Sequence, residues 1–167
     1  MDIFIEKIVK RHKSIVDILL ILLIVIGAIV ISYLLMLFIP QFAMFLIIAV
    51  FYGAYILISK FNIEYEYALT NGDLDIDMII SQKKRKRLLS VNCKEFDMVA
   101  RVNSSQYTRE IKECKNVKDY TSRSKNAEAW FISMRKDGQH TVILFEPLGK
   151  MIDSFAVYIP RKVFKNY

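Results

Sequence analysis

The chain has 167 residues and a formal net charge of +7, and 54% of its residues are hydrophobic. This length leaves room for one soluble domain and a membrane segment. A basic chain suits an anionic lipid surface or nucleic acid as its partner, and the apolar segment at 15–59 favours lipid. The two cysteines, Cys93 and Cys114, lack the CxxC spacing of zinc and redox motifs and are expected to be reduced thiols.

Residues 1–14 begin with MDIFIEKIVKRHK. In this stretch Ile3, Phe4 and Ile8 fall on one side of a helix, and the charged residues fall largely elsewhere. This spacing predicts an interfacial amphipathic helix. A cytoplasmic extension of the following apolar helix explains the pattern equally well.

Residues 15–59 contain a single charged residue, Asp17, and are interrupted by Pro40. The first run, 15–39, would form a helix of about 37 Å, which exceeds the roughly 30 Å of a hydrocarbon core. The second run, 41–59, is just long enough to cross. Because only two residues separate the runs, we predict an antiparallel pair of transmembrane helices. A cleaved signal peptide is the competing explanation, but the apolar stretch is too long and leads directly into another.

Lysine and arginine residues flank both runs on the sides away from the Pro40–Gln41 tip. The positive-inside rule therefore predicts that both termini are cytoplasmic. Asp17 is predicted to be a boundary residue rather than an intramembrane functional carboxylate. Each run also carries two small residues four positions apart, which favours close packing of the two helices. These pairs are Ala28 with Ser32 and Ala49 with Gly53.

Residues 60–167 are predicted to form a cytoplasmic domain that begins with a β-hairpin. Apolar and charged residues alternate in 62–69 and again in 73–80, and Asn71-Gly72 between them is typical of a two-residue turn. The resulting register pairs Leu69 with Leu74, Tyr67 with Ile76, Tyr65 with Met78, and Glu66 with Asp77. The first three pairs form an apolar face, and the fourth places two like charges opposite each other.

The rest of the domain is predicted as three further strands, a long polar connection and one helix. The strands are Leu88–Cys93, Ala127–Arg135 and Gln139–Glu146, the connection is 103–126 and the helix is Leu148–Tyr158. Asp137-Gly138 predicts the turn of a second hairpin, and Lys83–Arg87 is interpreted as the loop before the third strand. Five or more antiparallel strands and a closing helix predict a small α+β domain, built as a barrel or a curled sheet.

Three segments resemble bacterial PH-like domains that follow paired membrane helices: YEYALTNGDLDIDMII, the basic KKRKR run and EPLGKMIDSFAVYIP. The resemblance covers residues 60–160, extends to the two apolar runs, and points to a small family of bacterial membrane proteins. It implies a PH-like antiparallel β-barrel or curled sheet capped by a C-terminal helix, and it carries over no catalytic residue. The loop that binds phosphoinositides in eukaryotic PH domains is Asn71-Gly72 in this chain and lies among acidic residues, which disfavours an inositol lipid.

The candidate binding site is a run of five consecutive cations. These are Lys83, Lys84, Arg85, Lys86 and Arg87. Near a bilayer each would contribute about 1 kcal/mol of attraction to anionic lipid. The alternatives are an acidic protein, nucleic acid, or a solvated loop whose charges offset the neighbouring acidic strands.

Two other groups of residues allow more than one interpretation. The facing carboxylates Glu66 and Asp77 are compatible with pairing to the basic run, with a bound cation, with a basic partner surface or with simple solvation. Trp130 and Phe145 are predicted to pack in the core, with an aromatic groove as the alternative.

The familiar enzyme motifs do not occur in the sequence. His12 and His140 lie in different regions, and there is no Gly-rich phosphate loop, HExxH or GxSxG. We therefore predict a non-enzymatic, membrane-anchored binding or scaffold module without a metal or cofactor site. It would present a cytoplasmic surface to anionic lipid headgroups or to a protein partner, and self-association is compatible with the sequence. The alternative is an accessory subunit of a membrane transporter or of a membrane-surface enzyme, and nucleic acid is disfavoured as a partner.

Overall fold

The computed structural model describes residues 4–136 and 138–165. Its strands are β1 Phe4–Lys10, β2 Ile63–Thr70, β3 Asp73–Ile80, β4 Lys84–Asn92, β5 Phe96–Arg101, β6 Val117–Asp119, β7 Trp130–Lys136, β8 Gln139–Phe145 and β9 Val163–Phe164. Its helices are α1 Ile15–Phe38, α2 Ala43–Ser59, α3 Arg109–Lys112 and α4 Gly149–Tyr158, with a 3-10 turn at Cys93–Glu95. Asp137 of the predicted second turn lies outside the described residues.

The N-terminal segment is a β-strand, so the prediction of an amphipathic helix is wrong. β1 pairs antiparallel with β2, with Val9 opposite Tyr65 and Ile8 opposite Glu66. Val9 is buried, whereas Phe4 and Ile8 are exposed on the other face of the strand. The four-residue spacing of Phe4 and Ile8 places them on one face in a helix and also in a strand, so it does not distinguish the two. The segment forms a strand because it pairs with β2. Since β2 follows both apolar helices in the chain, the local spacing of residues does not reveal this pairing.

The apolar helices are inserted between β1 and β2. The Arg11 amide donates to the Ile63 carbonyl at 3.0 Å, and the His12 amide donates to the Ser122 carbonyl at 2.8 Å. The start of α1 and the end of α2 therefore lie side by side at one end of the domain. The domain predicted to begin at residue 60 thus also includes the N-terminal strand.

Sheet A has the order β1-β2-β3-β4 and is antiparallel throughout. The predicted register of its central hairpin is confirmed: Leu69 pairs with Leu74, Tyr67 with Ile76, Tyr65 with Met78 and Glu66 with Asp77. Asn71 and Gly72 have φ angles of 50° and 92°, as a two-residue hairpin turn requires.

Most of the basic run lies in β4, and its interpretation as a loop is wrong. The turn occupies 81–83, and β4 begins at Lys84, which pairs with Ile80. A β-bulge shifts the register between Ile76 and Asp77. Lysine has a low strand propensity, but ladder pairing with β3 overrides it in this strand.

Sheet B has the order β6-β8-β7-β5-β9, in which β6 and β9 run parallel to their neighbours. The 103–126 connection contains both α3 and β6 and is therefore more ordered than the predicted loop. Ile111 of α3 covers a second small core on the outer face of sheet B, formed with Ala100, Phe131 and Val142.

The main core lies between the two sheets and beneath α4. The Tyr67 ring meets Phe145 edge-on across the sheets, and Phe155 of α4 meets Phe96 in the same way. The predicted C-terminal helix is confirmed as α4. Among the described residues no strand pairing joins sheet A to sheet B, so the domain consists of two packed sheets and not of the closed barrel that was one of the expectations.

In the described part of the chain, α1 is the helix long and apolar enough to cross a membrane. Its 24 residues span about 36 Å, whereas the 17 residues of α2 span about 26 Å. The two helices pack against each other and expose most of their other apolar side chains. Ala28 and Ser32 are buried as expected, but Ala49 is exposed, so its predicted packing role is wrong.

Asp17 caps the first turn of α1. Its carboxylate accepts a hydrogen bond from the Ser14 amide at 2.9 Å and lies 3.3 Å from the guanidinium of Arg11. This is the position expected of a residue at a helix boundary.

Candidate functional site

The alternation of side chains along β4 divides the basic run into two sets. Arg87 is paired with Asp77 on the outer face of sheet A, and Arg85 lies on that same face. Lys84 and Lys86 alternate with the arginines and lie on the face that carries the core. The structure therefore does not bring the predicted cations together as one patch.

The two arginines are bound to buried carboxylates. Arg85 forms an ion pair with Glu66, and Arg87 bridges Asp77 and Asp75, with a distance of 2.8 Å from Nη1 to the Asp75 oxygen. Glu66 is 4% exposed and Asp77 is 5% exposed. Pairing with the basic run therefore relieves the facing charges, and simple solvation is wrong for these two carboxylates.

The electrostatics indicate a structural role for the arginines. Burial raises the pKa of Glu66, Arg85 opposes this shift, and the nearby Glu6 and Asp77 add to it. The hydrogen bond from Arg87 to Asp77 raises the pKa of that guanidinium. An arginine used in this way holds β4 against the rest of sheet A and offers little to a ligand.

The lysines of the run are in a different situation. The side chains of Lys83, Lys84 and Lys86 are all exposed. Among the described residues, none of the three ammonium groups takes part in an ion pair or a hydrogen bond. These three lysines, rather than all five cations, constitute the candidate site, which we call the lysine surface.

The lysine surface begins at a turn that is attached to the end of α2. Ser81 and Gln82 have φ angles of 54° and 56°, a region that is unfavourable for residues other than glycine. The Ser81 hydroxyl donates to the Ser59 carbonyl at 2.7 Å, and the Ser81 amide donates to the Asn62 carbonyl at 2.8 Å. These bonds fix the turn beside the last residues of α2.

A polar cleft of about 380 Å³ separates the edge strand β4 from sheet B. It is lined by Ser90 of β4, by Lys118 of β6 and by Asn116 and Thr141, whose side chains are hydrogen-bonded at 2.9 Å. The two sheets are therefore open at this edge, where β4 and β6 are not paired with each other in the described part of the chain.

Trp130 and Phe145 lie in the core, so the aromatic groove is wrong. Trp130 is 6% exposed and Phe145 is fully buried, and the two residues are paired across β7 and β8. The guanidinium of Arg101 lies 5.4 Å from the centroid of the indole ring and covers its edge of the core.

A serine–histidine contact that sequence spacing did not indicate occurs on the outer face of sheet B. Ser133 Oγ and His140 Nε2 are 2.8 Å apart, and the Cys114 thiol donates to the His140 carbonyl at 3.2 Å. A nucleophilic pair needs access to substrate, but Ser133 is buried, and neither residue lines the polar cleft beside β4. We interpret the contact as structural. Both cysteines are free thiols.

Two packed sheets closed by a C-terminal helix are the architecture of a PH-like domain, a class whose members are generally binding modules. The chain belongs to the family described as Bacterial PH-like domain (DUF6106), whose model matches residues 1–165. The match includes β1 and both apolar helices, and it confirms the resemblance to bacterial PH-like domains. No curated protein and no solved structure matches the chain.

Proposed function

We propose that the chain is a membrane-anchored, non-enzymatic PH-like binding module whose lysine surface contacts anionic lipid headgroups. The observation that carries the proposal is the position of Lys83, Lys84 and Lys86. They are exposed. Lys83 is the last residue of a turn that is hydrogen-bonded to the end of α2, and Lys84 and Lys86 follow that turn. A bilayer that contains α2 up to Ser59 would lie directly beside them.

Proximity gives the lysine surface its effect. Each lysine near an anionic leaflet contributes about 1 kcal/mol, so three contribute about 3 kcal/mol. The attraction decays over a Debye length of about 8 Å at physiological salt, so the lysines must lie close to the headgroups. The turn beside Ser59 gives them that position in the proposed topology. Because the helices already tether the chain, this energy would orient the domain and enrich anionic lipid around it.

The proposed topology has both helices across the bilayer, the Pro40–Gln41 tip outside and both termini in the cytoplasm. α2 is about 4 Å shorter than a typical hydrocarbon core, a mismatch that local thinning and the snorkelling of Lys60 would accommodate. The contact between Arg11 and Ile63 supports this arrangement because it holds both helix ends on the domain side.

Lipid selectivity of the full chain tests the proposal. We would reconstitute the chain into vesicles and measure by electron spin resonance how strongly it retains spin-labelled phosphatidylglycerol relative to phosphatidylcholine. We expect a several-fold preference for phosphatidylglycerol. Replacing Lys83, Lys84 and Lys86 by glutamine should remove most of that preference.

A matched control separates position from net charge. Replacing Lys94, Lys112 and Lys115 by glutamine removes the same charge from exposed positions that lie neither in β4 nor in the turn bonded to α2, and it should leave the preference intact. Equal losses in the two triple variants, or no loss in the first, would contradict a role for the lysine surface.

A further inference from the structure

A cavity of about 260 Å³ lies where α2 joins sheet A. It is lined by residues of the last turns of α2, of the ends of β1 and β2, and of the turn after β3. These residues are Lys10, Tyr55, Ser59, Asn62, Glu64, Ser81 and Gln82. If α2 is in the bilayer, this cavity lies at the level of the lipid headgroups.

A cation and an anion face this cavity without neutralising each other. Lys10 and Glu64 are direct cross-strand partners of β1 and β2 and therefore share one face of sheet A. Yet neither forms an ion pair among the described residues. The buried carboxylates further along the same face, Glu66 and Asp77, are both paired with arginine. Lys10 and Glu64, which form no ion pair among the described residues, are thus the two charged residues that line the cavity.

Some of the other polar groups around the cavity are hydrogen-bonded within the protein and others are not. The hydroxyls of Ser59 and Ser81 donate to backbone carbonyls. The side-chain amides of Asn62 and Gln82 have no protein partner in the described part of the chain. Tyr55 is exposed beside them, and tyrosine is enriched at the membrane–water interface.

Size and charge together identify the ligand class. At about 30 Å³ per water, the cavity has room for a group the size of roughly eight or nine water molecules, which suits a phosphate ester with a short amine. We infer that the cavity between α2 and sheet A binds a phosphate headgroup with a primary amine, as in phosphatidylethanolamine. This inference rests on the membrane anchoring of the proposed function, but not on its lysine surface.

Each end of such a headgroup has a partner. The phosphate accepts hydrogen bonds from the Lys10 ammonium and from the Asn62 and Gln82 amides, and the lipid ammonium donates to the Glu64 carboxylate. The negative end of the α2 dipole also favours the ammonium. A trimethylated amine has no N–H to donate, and a glycerol headgroup leaves Glu64 beside an uncompensated phosphate, so choline and glycerol lipids bind less well.

Native mass spectrometry of the full chain in mild detergent tests the site. The chain is mixed with equal amounts of phosphatidylethanolamine, phosphatidylcholine and phosphatidylglycerol. We expect one bound phosphatidylethanolamine per chain, preferred over phosphatidylcholine by about tenfold, the ratio expected for one charge-assisted hydrogen bond. Glu64→Gln should bring that ratio close to one, and Lys10→Gln should lower the occupancy by both lipids.

The controls are Glu110→Gln and Lys112→Gln on α3, which should change neither quantity, with unchanged fluorescence of the buried Trp130 as the check on folding. Soluble glycerophosphoethanolamine at millimolar concentration should displace the lipid. If it binds and the lipid does not, the site serves a soluble ester and the lipid inference is wrong.

The inference and the proposed function fail separately. If phosphatidylethanolamine has no advantage over phosphatidylcholine, or keeps it in Glu64→Gln, the headgroup site is wrong. The lysine surface would still stand if phosphatidylglycerol selectivity continued to depend on Lys83, Lys84 and Lys86. Loss of selectivity for every lipid in the native chain would contradict both.

Discussion

Neighbouring arginines and lysines of β4 have different roles because a strand directs successive side chains to opposite faces. The planar guanidinium of Arg87 reaches two carboxylates at once, Asp75 and Asp77, a geometry that a lysine ammonium does not reproduce. The ammonium groups of Lys84 and Lys86 stay hydrated on flexible stems, which suits contact with mobile headgroups. Substituting lysine for Arg87 is therefore not conservative at this position.

Glu66 makes the stability of the domain depend on pH in an unusual direction. Burial raises its pKa above 4.5 in the folded chain, so the folded state takes up this proton at a higher pH than the unfolded state does. The cost of ionised Glu66 is fully present above the folded pKa and disappears as the pH falls below 4.5. The melting temperature of Glu66→Gln should therefore increase relative to that of the native chain as the pH rises from 4 to 7.

The melting temperatures are measured on the full chain in detergent, with Trp130 fluorescence as the probe. Glu110→Gln, at an exposed position of α3, serves as the control and should show no such trend. If the melting temperature of Glu66→Gln instead increased relative to that of the native chain as the pH fell, the effect of Arg85 on the pKa of Glu66 would outweigh that of burial. The expected sign would then be wrong.

Tyr67 links sheet A to the segment that follows β6 by one hydrogen bond. Its hydroxyl donates to the Tyr120 carbonyl, its ring is fully buried, and burial raises its pKa. Tyr67→Phe should destabilise the domain by about 1–2 kcal/mol because the Tyr120 carbonyl loses its donor. Thermal unfolding followed by Trp130 fluorescence measures the loss.

Tyr107→Phe is the matched control for this hydroxyl. The Tyr107 ring packs on Phe131, but its hydroxyl donates no hydrogen bond among the described residues. Its removal should change the melting temperature little. Equal effects of the two substitutions would show that the bond to Tyr120 contributes nothing.

At the scale of elements, β1 has the largest consequence for experiments on the domain. It precedes both apolar helices in the chain, yet it forms one edge of sheet A. A chain that starts at residue 60 lacks this strand and exposes the apolar groups that Val9 and Ile5 cover. At about 1.5–3 kcal/mol per buried aliphatic side chain, we expect such a chain to lose about 3 kcal/mol or more.

A second variant keeps β1 and removes the helices. Because the Arg11 amide and the Ile63 carbonyl are 3.0 Å apart, a Gly/Ser linker of about four residues can replace 14–60. This variant should be soluble and unfold cooperatively in a urea titration, whereas the chain that starts at residue 60 should unfold at lower urea or aggregate. Equal unfolding midpoints would contradict the assignment of β1 to sheet A.

Local patterns account for the elements that the sequence predicted well. The alternation around Asn71-Gly72 determines the register of β2 and β3, and the apolar stripe of 148–158 determines α4. The missed features depend on distant partners. β1 needs β2, and the strand character of Lys84–Arg87 needs the ladder with β3. The same holds for the site: the cation run is visible in the sequence, but its division into paired arginines and free lysines requires the register.

At the scale of the whole molecule, the insertion of the helices between two neighbouring strands would, in the proposed topology, restrict the orientation of the domain on the membrane. The domain meets the helices at two points, through Arg11 and His12 before α1 and through Lys60 to Asn62 after α2. A single tether would allow the domain to rotate. Two adjacent connections, together with the bond from Ser81 to Ser59, hold the lysine surface and the cavity beside the helix ends, which in the proposed topology is the side of the bilayer.

The proposed topology leaves only the Pro40–Gln41 tip outside the cell. A cysteine at Gln41 should react with a membrane-impermeant maleimide in intact cells. A cysteine at Lys13, on the domain side of α1, should react only after permeabilisation. The native Cys93 and Cys114 would be on the cytoplasmic side, and burial raises the pKa of Cys93, which slows its reaction further. Labelling of the native chain supplies the background.

The two cysteine variants distinguish three arrangements, since the 26 Å of α2 makes its crossing the weakest part of the topology. Protection of both positions in intact cells would place the hairpin on the cytoplasmic side without crossing. Reaction at Lys13→Cys alone would indicate the inverted orientation, with both termini outside the cell. An inverted chain would turn the lysine surface toward the outer leaflet, away from the anionic lipids of the cytoplasmic leaflet, and the proposed function would lose its physical basis even though the fold stayed the same.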